Sequence, residues 1–500
     1  MNPQENILDQ TSFVPTLGNL FLLGTEWILL FAFILLALLA PILGRKQPVV
    51  LFWITSVTII FSAGWNAITW GMPNEMHTGS MLVSDDFGRF FKFLFAGVSL
   101  LILFIYQYSS NGKKALPEFY AVWIALLLGL NLMAMSRHLV MMIISLEMVS
   151  LSAYVLTGLG RKAAMGSEAA LKYFIYGSFV TAASIYGISW IYGFTGTLDP
   201  SSNAFADGLG KVPVEGLVLV FVLLISAFAF KISAAPFHFW SPDVYQAVHW
   251  PIAAFFSVAP KAAGFLMLIR LILPLQTHQN LQNVMFAVLG ILFATSLIIG
   301  NLSALRQNNL RRLLAFSGVA QSGFVLLGIL SFQTEGFAAA TFYLMVYTFM
   351  NLGIFCFVGW MEDKTGETDL EKLAEHVPGS SWVLFALVVF VAALVGLPGT
   401  AGFTGKLFLF TSFLISRNQD FLSWIIIAFA LVNILPALYY YFRVPSAWIF
   451  KKESFKNKVQ LHGLAPVILS ILAFLTIWLG IFHFGELISF LGTLIEKIAD

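Results

Sequence analysis

The stretch "FAFKISAAPFHFW" (residues 228–240) places Lys231, Pro236 and His238 within an apolar run. A lysine at the centre of a membrane-spanning helix costs about 2.5–3.5 kcal/mol on insertion scales. A proline breaks a helix because it lacks a backbone N–H and clashes with the preceding turn. Unpaired backbone survives at membrane depth only inside protein or beside a water-filled cavity. If this run spans a membrane, it predicts a broken helix that carries a buried cation.

The composition indicates that this is an integral membrane protein. Of its 500 residues, 59% are hydrophobic and only 10% are charged, whereas about a quarter are charged in a soluble domain. Apolar stretches of about 20 residues, the length that crosses a bilayer, recur along the whole chain. We predict an all-α membrane protein with about fourteen transmembrane helices and no separate soluble domain.

A second broken span is predicted in "GLPGTAGFTGKLFLF" (residues 396–410), where Pro398 precedes Lys406. The two broken spans are the seventh and the twelfth, so they cross the membrane in opposite directions. This arrangement is typical of inverted repeats whose working groups lie near the midplane. We therefore predict three N-terminal helices (1–115), a first five-helix repeat (116–275), a second inverted repeat (276–445) and a C-terminal helix (446–500).

The distribution of basic residues predicts the orientation in the membrane. Loops after the odd-numbered spans hold sixteen of the 27 lysines and arginines, and Lys/Arg-rich loops stay in the cytoplasm. Both termini should therefore face outward. The opposite side holds seven: Arg89, Lys92, Arg137, Lys211, Arg270, Arg417 and Lys497.

The four basic residues that belong to neither side are Lys172, Lys231, Lys261 and Lys406. The acid well inside a span is Glu147, in "MMIISLEMVSLSAYVL" (residues 141–156). One carboxylate does not neutralise four ammonium groups, so either water reaches the lysines or some lose their proton, because burial disfavours a charged group. Both outcomes favour proton or cation transport. The chain has no nucleotide-binding loop, so the energy must come from an ion gradient or a partner.

Structural explanations for some of these residues stay open. Lys172 lies one turn after Glu168 and could pair with it or extend to the membrane surface. Glu147 could be a structural partner, and His238 could simply satisfy a backbone carbonyl. The depth of Lys231 and Lys261 favours function, since ionisable groups inside the membrane usually mark ion pathways.

Composition also excludes several classes of site. The single cysteine, Cys356, forms no intrachain disulfide and cannot hold an iron–sulfur cluster. The eight histidines are scattered, without haem-attachment or zinc spacing. The net charge of +2 gives no indication of a nucleic-acid partner. We expect no cofactor or metal in this chain.

Four motifs resemble those of a known family. They are "LEMVSLSAYVLTG" (146–158), "FKISAAPFHFWSPDVYQ" (230–246), "RRLLAFSGVAQSGF" (311–324) and "LPGTAGFTGKLFLF" (397–410). Together they are similar to subunit N, an antiporter-like membrane subunit of bacterial NADH–quinone oxidoreductase (complex I). The resemblance implies a subunit of a proton-translocating enzyme in the bacterial inner membrane. FMN, the iron–sulfur clusters and quinone would belong to other subunits.

The resemblance also implies roles for individual residues. Glu147 would pair with Lys172 or Lys231 and modulate their proton affinity, and Lys231 would be the central proton-holding group. His238 and Lys261 would continue the polar path, and Lys406 would pass protons toward the outer face. The partners would be an M-type antiporter-like subunit and small K-, J- and A-type membrane subunits.

Two alternatives remain open from the sequence. The first is a subunit of an Mrp-type cation/proton antiporter, which would exchange sodium. The second is a scaffold that does not transport ions, in which Glu147, Lys231 and Lys406 would all tolerate apolar replacement.

Overall fold

The computed structural model describes residues 21–43, 47–77, 81–109, 116–159, 163–449, 457–459, 463–482 and 484–499. Helices dominate these segments. Two pairs of three-residue strands complete them: β1 (Glu75–His77) with β2 (Leu82–Ser84), antiparallel, and β3 (His376–Pro378) with β4 (Asn457–Val459), parallel. The predicted all-α membrane class is confirmed.

The helices of the N-terminal half run up to the end of the eighth span. They are α1 (Gly24–Leu43), α2 (Pro48–Ile68), α3 (Asp86–Tyr108), α4 (Glu118–Met135), α5 (Leu139–Gly158), α6 (Ala163–Thr195), α7 (Asn203–Gly210), α8 (Val214–Lys231), α9 (Trp240–Ala247) and α10 (Trp250–Ile272).

The helices of the C-terminal half follow a short 3₁₀ turn, Leu273–Thr277. They are α11 (Gln279–Leu305), α12 (Leu310–Ile329), α13 (Thr334–Thr365), α14 (Leu370–Leu373), α15 (Ser381–Val395), α16 (Ala401–Ser416), α17 (Phe421–Val432), α18 (Ile434–Ile449), α19 (Leu464–Ile481) and α20 (Phe484–Ala499).

The number of spans agrees with the prediction. Within the described segments, thirteen helices or continuous helix pairs are long and apolar enough to cross a membrane. The shorter α15 and α16 together form one more span, the broken twelfth. Helix α10 is the centre of the fold, because every one of its residues is buried. The helix α20 after the last span was not predicted.

The seventh span breaks between α8 and α9, at the position that Pro236 predicts. Neighbouring side chains satisfy the backbone freed by the break. On α11, Ser296 accepts a 2.9 Å hydrogen bond from the Ala235 N–H, and Thr295 donates one of 2.8 Å to the Ala235 carbonyl. On α12, Ser322 donates to the Ile232 carbonyl at 2.7 Å. The break is therefore built into the protein interior, as unpaired backbone in a membrane requires.

The twelfth span breaks between α15 and α16, around Pro398. Helix α15 ends at Gly396, whose φ of 92° lies in the left-handed region, where glycine is favoured. A Cβ added at Gly396 would lie 3.0 Å from the Cδ atom of Lys406. This glycine therefore both ends the helix and leaves space for the lysine stem.

The three N-terminal helices correct one part of the sequence prediction. The sequence predicts that Arg89 and Lys92 lie in an outer loop, but both are buried in α3. Lys92 forms a 2.7 Å ion pair with Glu26 of α1. Arg89 pairs with Asp86 at 2.7 Å. Because each of these cations has an acidic partner, the charges can lie inside a helix bundle.

The limits of the predicted repeats stay a prediction. Each of the two five-helix units, α4–α10 and α11–α18, contains one broken span. Much of the charge distribution that predicts the orientation lies outside the described residues, including Arg45, Lys46, Lys113, Lys114, Arg161, Lys162, Lys451, Lys452 and Lys456. The outward position of both termini also stays a prediction.

Candidate functional site

Lys231 is the last residue of α8, directly before the break in the seventh span, and its side chain is 1% exposed. Its ammonium Nζ donates a 3.1 Å hydrogen bond to the Ser150 hydroxyl of α5. The C-terminal end of a helix carries partial negative charge, so the position itself favours a cation. The Ser150 hydroxyl therefore binds the ammonium group, and the C-terminal end of α8 adds favourable partial negative charge.

Glu147 lies on α5, three residues before Ser150, and is half-buried. Its carboxylate accepts a hydrogen bond from the Thr181 hydroxyl of α6. It also acts electrostatically on Lys231, although the two groups form no direct ion pair. The structure thus places Glu147 near Lys231 and ties it to a different helix.

Lys261 lies beside Pro260 in the middle of α10 and is 2% exposed. Among the described residues, its Nζ atom has no hydrogen-bond partner. A Cβ added at Gly318 of α12 would lie 2.7 Å from this Nζ and 3.2 Å from the Tyr347 hydroxyl oxygen. The absent side chain of Gly318 therefore leaves the space in which the ammonium group lies.

Lys406 lies on α16 and extends back to the end of α15. Its Nζ donates to the carbonyls of Leu394 and Val395 at 3.0 and 2.8 Å, and lies 4.4 Å from the centre of the Phe324 ring. These carbonyls belong to the last turn of a helix, which favours a cation, and the ring face adds a cation–π contact. The break in the twelfth span supplies the oxygen atoms that hold this lysine.

His238 lies within the break of the seventh span and is 2% exposed. Its Nδ1 atom has no hydrogen-bond partner among the described residues, and the ring is within electrostatic range of Lys261. It lines a cavity of about 350 Å³ together with Lys172, Asp243 and Arg312. The cavity therefore connects a buried imidazole with charged groups near the protein surface.

Lys172 has a different environment from the other three lysines. Its side chain is 52% exposed and forms ion pairs of 2.7 Å with Glu168 and 3.4 Å with Asp243. Arg312 pairs with the same Asp243 at 2.6 Å. Lys172 is thus part of a surface network at the cavity mouth, and it does not contact Glu147.

Sequence reasoning missed a polar group between Lys261 and Lys406. Gln321 of α12 donates to the Leu394 carbonyl at 3.0 Å, the same carbonyl that accepts from Lys406. It also accepts a 2.5 Å hydrogen bond from Tyr343 and donates to Tyr441 at 3.3 Å. The available signal was the polar spacing of "SGVAQSG" (residues 317–323) inside an apolar helix.

Three buried lysines share one feature among the described residues, the lack of a carboxylate at ion-pair distance. In the described part of the chain, no group of three or more His, Cys, Asp or Glu residues is placed to hold a metal ion. Lys231, Lys261 and Lys406 have no carboxylate within ion-pair distance there. Ammonium groups that lack a fixed counter-charge can release a proton without leaving a stranded carboxylate.

Comparison with known proteins shows the family. The family model described as "NADH:quinone oxidoreductase/Mrp antiporter, TM" matches residues 136–432, more than half of the chain. NADH-quinone oxidoreductase subunit N 2 of Sorangium cellulosum is 35% identical over 445 residues, which cover 85% of this chain and 86% of the relative. The chain belongs to the subunit N family.

Solved structures agree with this membership in the subunit N family. A chain of respiratory complex I from Thermus thermophilus has a TM-score of 0.75 and 27% identity, and the alignment covers 93% of this chain and 98% of that one. A chain of the Mrp complex from Dietzia sp. has a TM-score of 0.78 at 18% identity, covering 96% and 98%. The second likeness shows only that the two proteins share a fold.

Proposed function

We propose that this chain is the proton-translocating subunit N of an NADH–quinone oxidoreductase and moves protons across the membrane through Lys231, Lys261 and Lys406. One observation carries the proposal. Three lysines in the spans are each at most 3% exposed, and each lacks a paired carboxylate among the described residues. Burial in a membrane disfavours a charged side chain. Unpaired ionisable groups at this depth therefore usually have a function in ion transport.

The path begins at the cavity mouth near the inner end of the seventh span. Protons would reach His238 through the cavity that Lys172, Asp243 and Arg312 border. His238 interacts electrostatically with Lys261, and Lys231 lies at the preceding helix end. From Lys231 and Lys261 the proton would pass to Lys406 in the second broken span and then to the outer face.

Glu147 would control when Lys231 holds its proton. A charge change that arrives from a neighbouring subunit would move Glu147 relative to Lys231 or alter its bond with Thr181. Removing the negative charge from the vicinity of an ammonium group disfavours the protonated form. Lys231 would then release its proton along the path, and the return of Glu147 would favour reprotonation.

The redox chemistry would take place in other subunits. Relatives of this chain are named as subunits of NADH-quinone oxidoreductase, so the proposed enzyme transfers electrons from NADH to quinone. FMN, iron–sulfur clusters and the quinone would bind in partner subunits. The adjacent partners would be an M-type antiporter-like subunit and the small K-, J- and A-type subunits, in a bacterial inner membrane with both termini outward.

An Mrp-type cation/proton antiporter is the second candidate. The family description includes Mrp antiporters, and the Mrp chain from Dietzia sp. shares the fold. The named relatives favour complex I. The two candidates differ in their transported ion and in their need for NADH.

Vesicles that contain the purified native assembly provide the test. We expect NADH oxidation to drive proton uptake that an uncoupler abolishes, with no dependence on sodium. The variant Lys261→Leu should lose proton uptake through this subunit, while the control Lys211→Leu, in the loop before α8, should behave as wild type. Sodium/proton exchange by the chain without NADH would favour the Mrp alternative.

A further inference from the structure

One face of α12 joins the two halves of the proposed path. Gly318 adjoins Lys261, and Gln321 shares the Leu394 carbonyl with Lys406. Residues three apart on a helix lie on the same face. Ser322, the next residue, donates to the Ile232 carbonyl at the break of the seventh span. This single face therefore contacts both broken spans.

The side chains around Gln321 form a connected hydrogen-bond group. Tyr343 donates to the Gln321 amide oxygen, and the amide nitrogen donates to Leu394 and Tyr441. Gln321 is 2% exposed, and both tyrosines are fully buried. A buried hydrogen-bond network of this kind fixes the orientation of its side chains, because a buried donor or acceptor without a partner is energetically unfavourable.

Three buried tyrosine hydroxyls lie beside Gly318 and Gln321 on this face of α12. Tyr347 lies at the Lys261 end, and its hydroxyl has no hydrogen-bond partner among the described residues. Tyr343 and Tyr347 are four residues apart on α13, so their side chains lie on the same face of that helix. The Tyr343 ring packs against α16 at Gly405, the residue before Lys406: a Cβ added at Gly405 would lie 2.7 Å from the Tyr343 Cδ2 atom.

We propose that Gln321 is a positioning residue that holds the Tyr343 and Tyr441 hydroxyls between Lys261 and Lys406 and so connects the two halves of the proton path. The proposal rests on the proposed function. Each hydroxyl receives a proton on its oxygen and gives its own proton onward, and the Tyr343 proton leaves the Gln321 amide oxygen when it is given. The Lys261 ammonium becomes an amine, the Lys406 amine becomes an ammonium, and the relay groups end unchanged.

Gln321 has a second effect on Lys406. When Lys406 turns away from the end of α15, the Leu394 carbonyl keeps its hydrogen bond from the Gln321 amide. A buried carbonyl that lost its only donor would oppose this movement. Gln321 therefore lets the lysine release its proton and reorient without leaving that carbonyl unsatisfied.

The chain offers a matched control for Gln321. Asn301 is also a buried amide: it donates to the Asn433 carbonyl at 2.8 Å and accepts from Tyr440 at 3.3 Å. It has the same kinds of partner, one backbone carbonyl and one tyrosine hydroxyl, but contacts neither lysine. A loss of stability from removing a buried amide should affect both variants alike.

The experiment compares Gln321→Leu with Asn301→Leu in the native assembly in vesicles. We expect Gln321→Leu to slow NADH-driven proton uptake roughly tenfold and to raise the solvent deuterium isotope effect on coupled turnover. Asn301→Leu should leave the isotope effect at the wild-type value. Tyr343→Phe combined with Gln321→Leu should be slower than Gln321→Leu alone but no slower than Tyr343→Phe alone, because Tyr343→Phe removes the hydroxyl that Gln321 positions.

Other outcomes separate this proposal from the proposed function. If Lys261→Leu stops proton uptake while Gln321→Leu keeps the wild-type rate and isotope effect, the relay proposal is overturned and the path through the lysines stands. Equal isotope effects in Gln321→Leu and Asn301→Leu would also overturn it. If the wild-type assembly moves no protons, the proposed function itself fails.

Discussion

Lys231 donates a hydrogen bond to Ser150, and Ser150 lies three residues after Glu147 on the same helix. Glu147 and the hydroxyl that holds Lys231 thus lie on the same face of α5, about one turn apart. A hydroxyl holds the ammonium group, while Thr181 holds the carboxylate. Because the two charges are close but not bonded, a small movement of α5 or α6 would change their interaction.

Replacing Glu147 with glutamine tests this control. Glu147→Gln keeps an oxygen that accepts from Thr181 but removes the charge, so we expect roughly tenfold slower proton uptake with normal assembly. Glu168→Gln is the matched control, because Glu168 is an exposed acid whose side chain is 66% accessible. The measurement is NADH-driven proton uptake in vesicles. Unchanged uptake in Glu147→Gln would remove Glu147 from the mechanism.

Lys172→Ala tests whether the surface lysine belongs to the path. Its ion pairs are half-exposed, and pairs of this kind contribute about 0–1 kcal/mol. Arg312 still pairs with Asp243 in this variant, so this carboxylate keeps a cationic partner at the cavity mouth. We expect proton uptake to fall no more than about twofold. A complete loss would place Lys172 among the groups that carry protons.

Gly318→Ala tests the space around Lys261. The added methyl would lie 2.7 Å from the Lys261 Nζ, which forces the ammonium group away from Tyr347. We expect a marked loss of proton uptake with retained assembly. Gly323→Ala on the same helix is the control, since the atoms nearest to its methyl would belong to Leu297, at 3.0 Å and beyond. Equal losses in both variants would indicate a packing defect instead.

The ion pair between Arg270 and Asp85 predicts an effect on stability. It has two hydrogen bonds of 2.7 Å and joins α10 to the start of α3. Removing one partner of a buried pair costs about 3–5 kcal/mol, because the other charge is left unpaired. We expect Arg270→Gln to lower the denaturation temperature of the purified subunit.

The double variant Asp85→Asn with Arg270→Gln provides the control for this pair. Asparagine still caps α3 as aspartate does, and no charge remains unpaired. The double variant should be more stable than Arg270→Gln alone. If it is less stable, the unpaired charge is not the source of the destabilisation.

The broken spans could be predicted from sequence because lysine and proline leave a strong local signal there. Pro236 and Pro398 mark both breaks; Lys231 is the last residue of α8, and Lys406 lies in the second turn of α16. The partners of Lys406 could not be predicted, since backbone carbonyls have no sequence signature. The role of Gln321 depends on contacts with residues far away in the chain, Leu394 and Tyr441.

Long-range ion pairs were missed for the same reason. Lys92 reads as a loop residue because it follows a polar segment, and its partner Glu26 is two helices earlier. The amphipathic helix α20 was missed because it is too polar for a membrane span. Its residue Phe490 stacks on Trp70, a contact that only the fold brings together.

The most direct test of the central claim is NADH-driven proton uptake by an assembly that carries Lys231→Ala. Assembly and NADH oxidation with an artificial electron acceptor should stay normal, because in the proposed function electron transfer takes place in other subunits. We predict that proton translocation through this subunit is abolished. Full proton translocation per NADH in a well-assembled Lys231→Ala complex would contradict the account.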